Sequence, residues 1–328
     1  MELFPRFGMA IWRMRLPGRG ITTATTGARL RLRSFIPPLE GPGVSGGDIN
    51  GQDDEGWTAL HFAAAGSPAQ TMRALLRHPH FAAADAREQS GRTALHLAAA
   101  HGRAAAVRAL LGHRRFAAVD ACDGAGRTAL HWAAANGQTE SLRALLRHAR
   151  FTAADVQERK GLTALTLASL KGHACAVRAL LRDPRFTAVD ARDDEGWTAL
   201  HAAAARGRLE SLRVLLENPR FTATDAQERA GFTALHLAAA NGHPEAVDVL
   251  LAHPRFGAVA MRDAHGRTAL HLAALRGRSS VVRALLQHPC FKGLEQQDSN
   301  GWTAVHCAVV CGRPSVLEAM LGPSGGEL

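Results

Sequence analysis

Tyrosine is absent from this 328-residue chain and aromatic residues make up only 5% of it, so most of the apolar content comes from smaller side chains. Alanine takes many of the apolar positions, which suits helices packed close together. The five cysteines, Cys122, Cys175, Cys290, Cys307 and Cys311, are odd in number and share no repeat position. They do not make a disulfide framework, and they read as thiols of a reducing compartment. No apolar run approaches the roughly 18 to 20 residues that a membrane-spanning helix needs, so the protein is expected to be soluble. Missing as well are G-x-S-x-G, a Gly-rich phosphate loop ending in Lys-Ser/Thr, and H-E-x-x-H. Ser211 and Cys175 carry no sign of a base or an orienting partner, so no catalytic residue is assigned and no cofactor is implied.

What is present is a period. Glycine stands two residues before Thr-Ala-Leu or Thr-Ala-Val at Gly56, Gly91, Gly126, Gly161, Gly196, Gly231, Gly266 and Gly301, a constant spacing of 35 residues. A period between 20 and 50 residues marks a solenoid, in which each unit is too small to bury its own apolar face and is stabilised by stacking on the next. Formal charge is +10, and residues 1–47 hold seven arginines against Glu2 and Glu40, so half of the excess lies outside the repeats.

One unit, beginning at Asp193, shows the physics. Asp193 and Gly196 take the first and fourth places of a type I turn, which predicts a tight hairpin tip. Thr198 offers an N-cap hydroxyl to a short first helix that should end at Gly207. A second helix is predicted from about Arg208 to Glu217, with Leu212, Leu215 and Leu216 on one face and Pro219 closing it.

The pattern G-x-T-A-L-H-x-A-A-x-x-G followed by V-x-x-L-L resembles the ankyrin repeat, and the resemblance runs from about residue 48 to the C-terminus. It implies an all-α fold, an ankyrin-repeat solenoid of eight stacked helix-turn-helix units joined by β-hairpin-like loops. The organisation expected is a basic arm at 1–47, disordered or a targeting segment, a repeat domain at 48–321, and a short flexible tail at 322–328. Two features depart from the family. Alanine replaces the usual proline after each threonine, which supplies the best helix former in place of a preset dihedral. The period exceeds the usual 33, and the surplus falls between the second helix and the next hairpin, where Phe81, Phe116, Phe151, Phe186, Phe221, Phe256 and Phe291 recur and are expected to form a buried spine.

Several columns of the repeat could carry chemistry. His61, His96, His131, His201, His236, His271 and His306, with Thr166 in the fourth unit, by the resemblance tie neighbouring hairpins together through backbone hydrogen bonds. His306, Cys307 and Cys311 are the one local cluster of metal-ligand types, but structural zinc takes four ligands and no fourth is evident, so no metal is assigned. Arginine forms two columns, Arg73, Arg108, Arg143, Arg178, Arg213 and Arg283 on the second helix, and Arg115, Arg150, Arg185, Arg220 and Arg255 before the phenylalanines.

The informative columns are those that vary on a constant scaffold. After each turn glycine come Trp57, Arg92, Arg127, Leu162, Trp197, Phe232, Arg267 and Trp302, which the resemblance places along the concave side. Before the helix-ending glycines come His101, Asn136, Lys171, Arg206, Asn241 and Arg276, lining the same concavity. Trp, Phe and Arg are the types enriched in binding hot spots. The function implied is a non-catalytic protein-protein interaction scaffold or adaptor, a monomer whose unnamed protein partner could be acidic. The alternative is electrostatic binding of nucleic acid or anionic lipid through the arginine columns and the arm, with nucleic acid disfavoured because exposed aromatics are not interleaved with the basic residues. A cytoplasmic location is expected, or mitochondrial or plastid if the acid-poor arm serves as a transit peptide.

Overall fold

The computed structural model describes residues 48–322 except 290 and 292; the basic arm, with its readings as a disordered or targeting segment, and residues 323–328 lie outside them. Among the described residues there are sixteen α-helices and no strand, arranged as one helix pair per unit. The pairs are α1 (Ala59–Gly66) and α2 (Ala69–Arg77), α3 (Ala94–Ala100) and α4 (Ala104–Leu111), α5 (Ala129–Ala135) and α6 (Thr139–Arg147), and α7 (Ala164–Lys171) and α8 (Ala174–Arg182). They continue as α9 (Ala199–Ala205) and α10 (Leu209–Glu217), α11 (Ala234–Asn241) and α12 (Pro244–Ala252), α13 (Ala269–Leu275) and α14 (Ser279–Gln287), and α15 (Ala304–Val310) and α16 (Pro314–Leu321). First helices pack on the first helices of adjoining units and second helices on second helices.

Each first helix starts at the alanine that replaces proline, because the preceding threonine caps it. In the third unit the Thr128 backbone N–H donates to His131 Nδ1 at 3.1 Å, and Thr128 Oγ1 lies 2.9 Å from the same nitrogen. This capping box satisfies amides that the helix itself leaves unpaired. From the second unit onward the first helices stop one or two residues before the predicted glycines: Gly172 and Gly242 are left-handed C-caps, whereas α9 ends at Ala205 with Arg206 as its cap. The alanine after the cap is exposed in the first unit, at Ala59, and buried in every later one, and Leu212, Leu215 and Leu216 of α10 are fully buried as their spacing predicts.

The histidine also decides how units join. Because Nδ1 accepts from the threonine amide, the ring proton sits on Nε2, which donates to a backbone carbonyl of the next hairpin: His96 to Arg127 O at 3.0 Å, His131 to Leu162 O at 3.2 Å, His271 to Trp302 O at 2.9 Å. Burial pushes these rings down, for His96, His131 and His201 to about 4, so they are neutral at pH 7. Thr166 is too short to make this bridge and instead bonds to Thr163 Oγ1. Neighbouring hairpins also bond directly, as in Gly124 N–H to Ser90 O at 2.8 Å and Arg229 N–H to Glu195 O at 3.0 Å. Gly161 shows how close they come: it has φ 77°, and a Cβ there would meet the Asp193 Cα at 2.8 Å.

The long segment between second helix and hairpin contains two further clamps. Arg220 donates to Leu181 O at 2.7 Å, Asp183 O at 2.8 Å and Phe186 O, and Arg255 repeats the set on Leu216, Asn218 and Phe221. A guanidinium on the last carbonyls of a helix satisfies orphan acceptors and meets the negative end of its dipole. In the other direction Asp120 Oδ1 accepts from Thr152 N–H at 2.9 Å and Ala153 N–H at 3.1 Å, and Asn50, Asp85, Asp155, Asp190 and Asp225 do likewise. The phenylalanines sit between these clamps, buried from Phe81 to Phe256, with Phe291 partly exposed. Between the sixth and seventh units Ala260 stands where the Asp would be and Cys290, outside the described residues, stands where the Arg would be.

Thr166→His should restore the missing bridge to the Trp197 carbonyl and raise unfolding stability by about 0.5–1.5 kcal/mol, measured by urea denaturation. Acid should act through the same column. A folded pKa of about 4 against about 6.5 unfolded means that the unfolded chain takes the proton first, so stability is full above pH 6.5 and is lost as pH falls toward 4. The expected slope is about 1.4 kcal/mol per pH unit for each such histidine, and His131→Gln should flatten the melting-temperature profile over that window.

Candidate functional site

The residues that follow the turn glycines fall into two chemical sets. Where that residue is arginine, it pairs with the carboxylate that opens its own turn. Arg92 Nε lies 3.0 Å from Glu88 Oε1, Arg127 Nη2 3.0 Å from Asp123 Oδ2, and Arg267 Nη2 2.7 Å from Asp263 Oδ2. The carboxylates are buried beneath partly exposed guanidiniums. Burial alone would raise the Glu88 and Asp123 carboxyls, but the arginine and backbone N–H groups bonded to them outweigh it and hold both below the usual range. Arg92, Arg127 and Arg267 are therefore ion pairs of the scaffold before any ligand arrives.

Where the residue is aromatic, the turn acid has only backbone donors. Asp193 Oδ1 accepts from Glu195 N–H and Trp197 N–H, and burial, with the charges of Glu195 and Asp194, pushes its carboxyl up. Trp57 packs on Phe62 at a ring separation of 5.1 Å. Trp197 lies 6.4 Å from the His201 ring, and Phe232 is 6% exposed beneath the Arg267 guanidinium, 6.0 Å from its ring. Leu162 is partly exposed, and Trp302, on the last of the described units, is 41% exposed.

Two groupings emerge. In units two and three, Trp132 lies under Arg127 at 4.2 Å and near Arg92 at 5.5 Å, and its Nε1–H donates to Asp123 Oδ2 at 3.0 Å. In units five to seven, Ala205, Phe232, Leu237 and Leu272 form a small apolar cluster separate from the main core, joined by the partly buried Trp197, Ala240 and Leu275. Trp302, Val309 and Val310 expose further apolar surface on unit eight.

The residues at the ends of the first helices also divide. Asn136 and Asn241 turn their amides back onto Trp132 O and Leu237 O of their own helices, at 2.9 and 3.0 Å. Lys171 and Arg206 are exposed. Burial lowers His101, as do Arg103 and Arg92; burial also lowers Arg276, as do Arg278 and Arg267. Sequence reasoning passed over Trp132, Leu237 and Leu272 because their column, shared with Leu97 and Cys307, reads as core. The signal that could have found them is that this column follows the buried histidine on the same helix and so faces the varying residues.

Of the two arginine columns, Arg115, Arg150, Arg185, Arg220 and Arg255 do not form a free basic ridge, since their guanidinium donors are engaged by carbonyls of the preceding unit. On the second helices Arg143 pairs with Glu140 and Arg213 with Glu210. His306 keeps its bonds to Thr303, and among the described residues no three metal-ligating side chains converge. Burial pushes the Cys307 thiol up to about 11, with Asp298 and Cys311 adding to the rise. Ser211, fully buried, has no hydrogen-bond partner for its hydroxyl. Among the described residues no helix is long and apolar enough to cross a membrane.

Comparison with known proteins agrees with this geometry. A family model for ankyrin repeats, in blocks of three copies, matches overlapping segments from 42–121 through 149–225 to 256–327. Among solved structures, the chain is similar to the ankyrin repeat domain of Bcl-3, described as a unique member of the IkappaB protein family, with a TM-score of 0.58 and 28% identity over 71% of this chain and 100% of that one. A search of the curated proteins finds no match.

Arg127→Ala should leave the buried Asp123 carboxylate without its ion partner and uncover Trp132. The expected result is a loss of about 1–3 kcal/mol in stability, measured by denaturant titration, accompanied by a shift in tryptophan emission.

Proposed function

Because the chain belongs to the ankyrin-repeat family, we propose that it is a non-catalytic interaction scaffold whose protein partner docks on the hairpin tips and first-helix face, above all in units five to eight. The observation that carries this reading is the second apolar cluster around Phe232, Leu237 and Leu272. It lies outside the main core and is bordered by Trp197, with the exposed Trp302 following on the next unit but one after Phe232. Apolar floor with aromatic and arginine borders is the composition of binding hot spots. Phe232 acts as a floor for Trp197 and Arg267, with little surface of its own to offer.

The non-catalytic half of the reading is supported by the burial of Ser211, one of the two candidate nucleophiles, whereas the other, Cys175, is exposed on α8. Trp57, Leu162, Arg92, Arg127, His101 and Asn136 belong to the same face and contribute to its shape, but the first-half arginines are already paired within their own turns.

Trp302→Ala together with Trp197→Ala should weaken capture of a partner by about 1–3 kcal/mol per anchor. The measurement is an affinity pull-down quantified by mass spectrometry, with circular dichroism confirming that the variant folds. Equal capture by the parent and the variant would remove this face as the site.

A further inference from the structure

The proposed docking face is not electrically uniform. Two columns flank the glycines that close the first helices, and from unit four onward they read Lys171 and His173, Arg206 and Arg208, Asn241 and His243, Arg276 and Arg278, Cys311 and Arg313. In units two and three the same columns hold only one formal cation, Arg103, beside His101, Asn136 and Gln138. Neither column holds an acid anywhere in these units. The strip borders the residues of the second apolar cluster in sequence, since Arg206 follows Ala205 and Arg276 follows Leu275.

The cations of the later column are held in place. The stems of Arg208, Arg278 and Arg313 lie across the glycines of the preceding units, so that a Cβ built on Gly172, Gly242 or Gly277 would meet their Cδ atoms at 2.8, 2.8 and 3.0 Å. Arg208 Nε also donates weakly to Leu170 O at 3.4 Å, and Arg278 Nε to Ala240 O at 3.3 Å. Pinned stems lose less freedom when a ligand pairs with their guanidiniums. Titratable groups along the strip register its potential. After burial, His173 is lowered by Arg208 and Lys171, although its Nε2 bond to Ala135 O acts the other way. After burial, His243 is lowered by Arg278 and Arg208, with its bond to Ala205 O and the carboxylate of Glu245 opposing.

We propose that the partner segment seated on units five to eight is an acidic one, placing apolar side chains on the Phe232, Leu237 and Leu272 floor and carboxylates on the strip formed by Arg206, Arg208, Arg276, Arg278 and Arg313. This rests on the reading of that face as a docking site and adds to it the chemistry of the occupant. Charge complementarity is the argument: cations recur at successive units with no acid in their columns, and a carboxylate-bearing segment lying along them would meet opposite charge at each step. First helices stack about 8–10 Å apart, so an extended segment rising about 3.3 Å per residue would meet successive cations roughly every third residue.

The test is selection of a random sixteen-residue peptide display library on the full chain. Recovered peptides are then measured individually against Arg206→Gln/Arg276→Gln/Arg313→Gln, against Trp302→Ala, and against the second-helix control Arg178→Gln/Arg283→Gln. The expected pool is enriched in Asp and Glu together with apolar residues. Its members should lose about tenfold in affinity on the triple variant and a similar factor between 50 and 500 mM salt, while the control leaves binding unchanged. Binding should also raise the NMR-measured pKa values of His173 and His243, which a merely apolar occupant would not do. Peptides that depend on Trp302 but are not acidic, and are indifferent to the triple variant, would overturn the acidic occupant and leave the docking face standing. Peptides lost only on the second-helix control, or no binding peptide at all, would overturn both.

Discussion

A single proton on the Nε2 of a buried histidine is the constraint on which the stack depends. Nδ1 is fixed as an acceptor by the threonine amide of the helix cap, so Nε2 must donate, and the nearest acceptor is a carbonyl of the following hairpin. One ring therefore starts a helix and sets the position of the next unit. The carbonyl that it holds belongs to the residue after the turn glycine, the very residue whose side chain varies from Trp57 to Trp302. Scaffold and docking face are thus linked through one backbone atom per unit, so a substitution there changes recognition while the backbone bond is retained.

The unusual length of the repeat has a physical counterpart. The surplus segment holds an arginine that reaches back to the carbonyls of the preceding unit and a phenylalanine buried beside it, and an aspartate further on reaches forward to the amides of the next unit. Each of the five junctions from the first unit to the sixth thereby gains polar ties at the second-helix edge as well as at the hairpins. Ala260 and Cys290 replace both partners of the pair between the sixth and seventh units, and the eighth unit is joined to the seventh by apolar contact, the hairpin bond from Ser299 to His265 and the His271 bridge. Trp302 is carried by that unit, the one whose Val309, Val310 and Leu321 are left exposed.

These ties also change the meaning of the charge. A chain of formal charge +10 suggests a surface rich in free cations, but many of its arginines are bonded to helix-terminal carbonyls or to turn carboxylates. A further set of arginines is concentrated at the ends of the first helices in the second half of the repeats. An apolar floor occurs in the same half, because Phe232 stands where units two, three and seven carry arginine.

Much of this was legible in the sequence. The period gave the number of units, threonine and glycine marked where the first helices begin and end, and the phenylalanines at constant pitch announced burial, because each of these depends on local backbone preference or on a side chain repeated in register. The sequence alone did not separate Arg150, bonded to three carbonyls, from Arg143, paired with Glu140 in its own helix. Nor did it reveal that Arg92, Arg127 and Arg267 are neutralised within their turns or that Trp132 lies beneath two guanidiniums. The fold was determined by the sequence because it follows from one unit and its repetition. The identity of the free charges and of the apolar floor was decided only in the tertiary structure, because it depends on what each long side chain meets on the adjoining unit, 31 to 39 residues away along the chain.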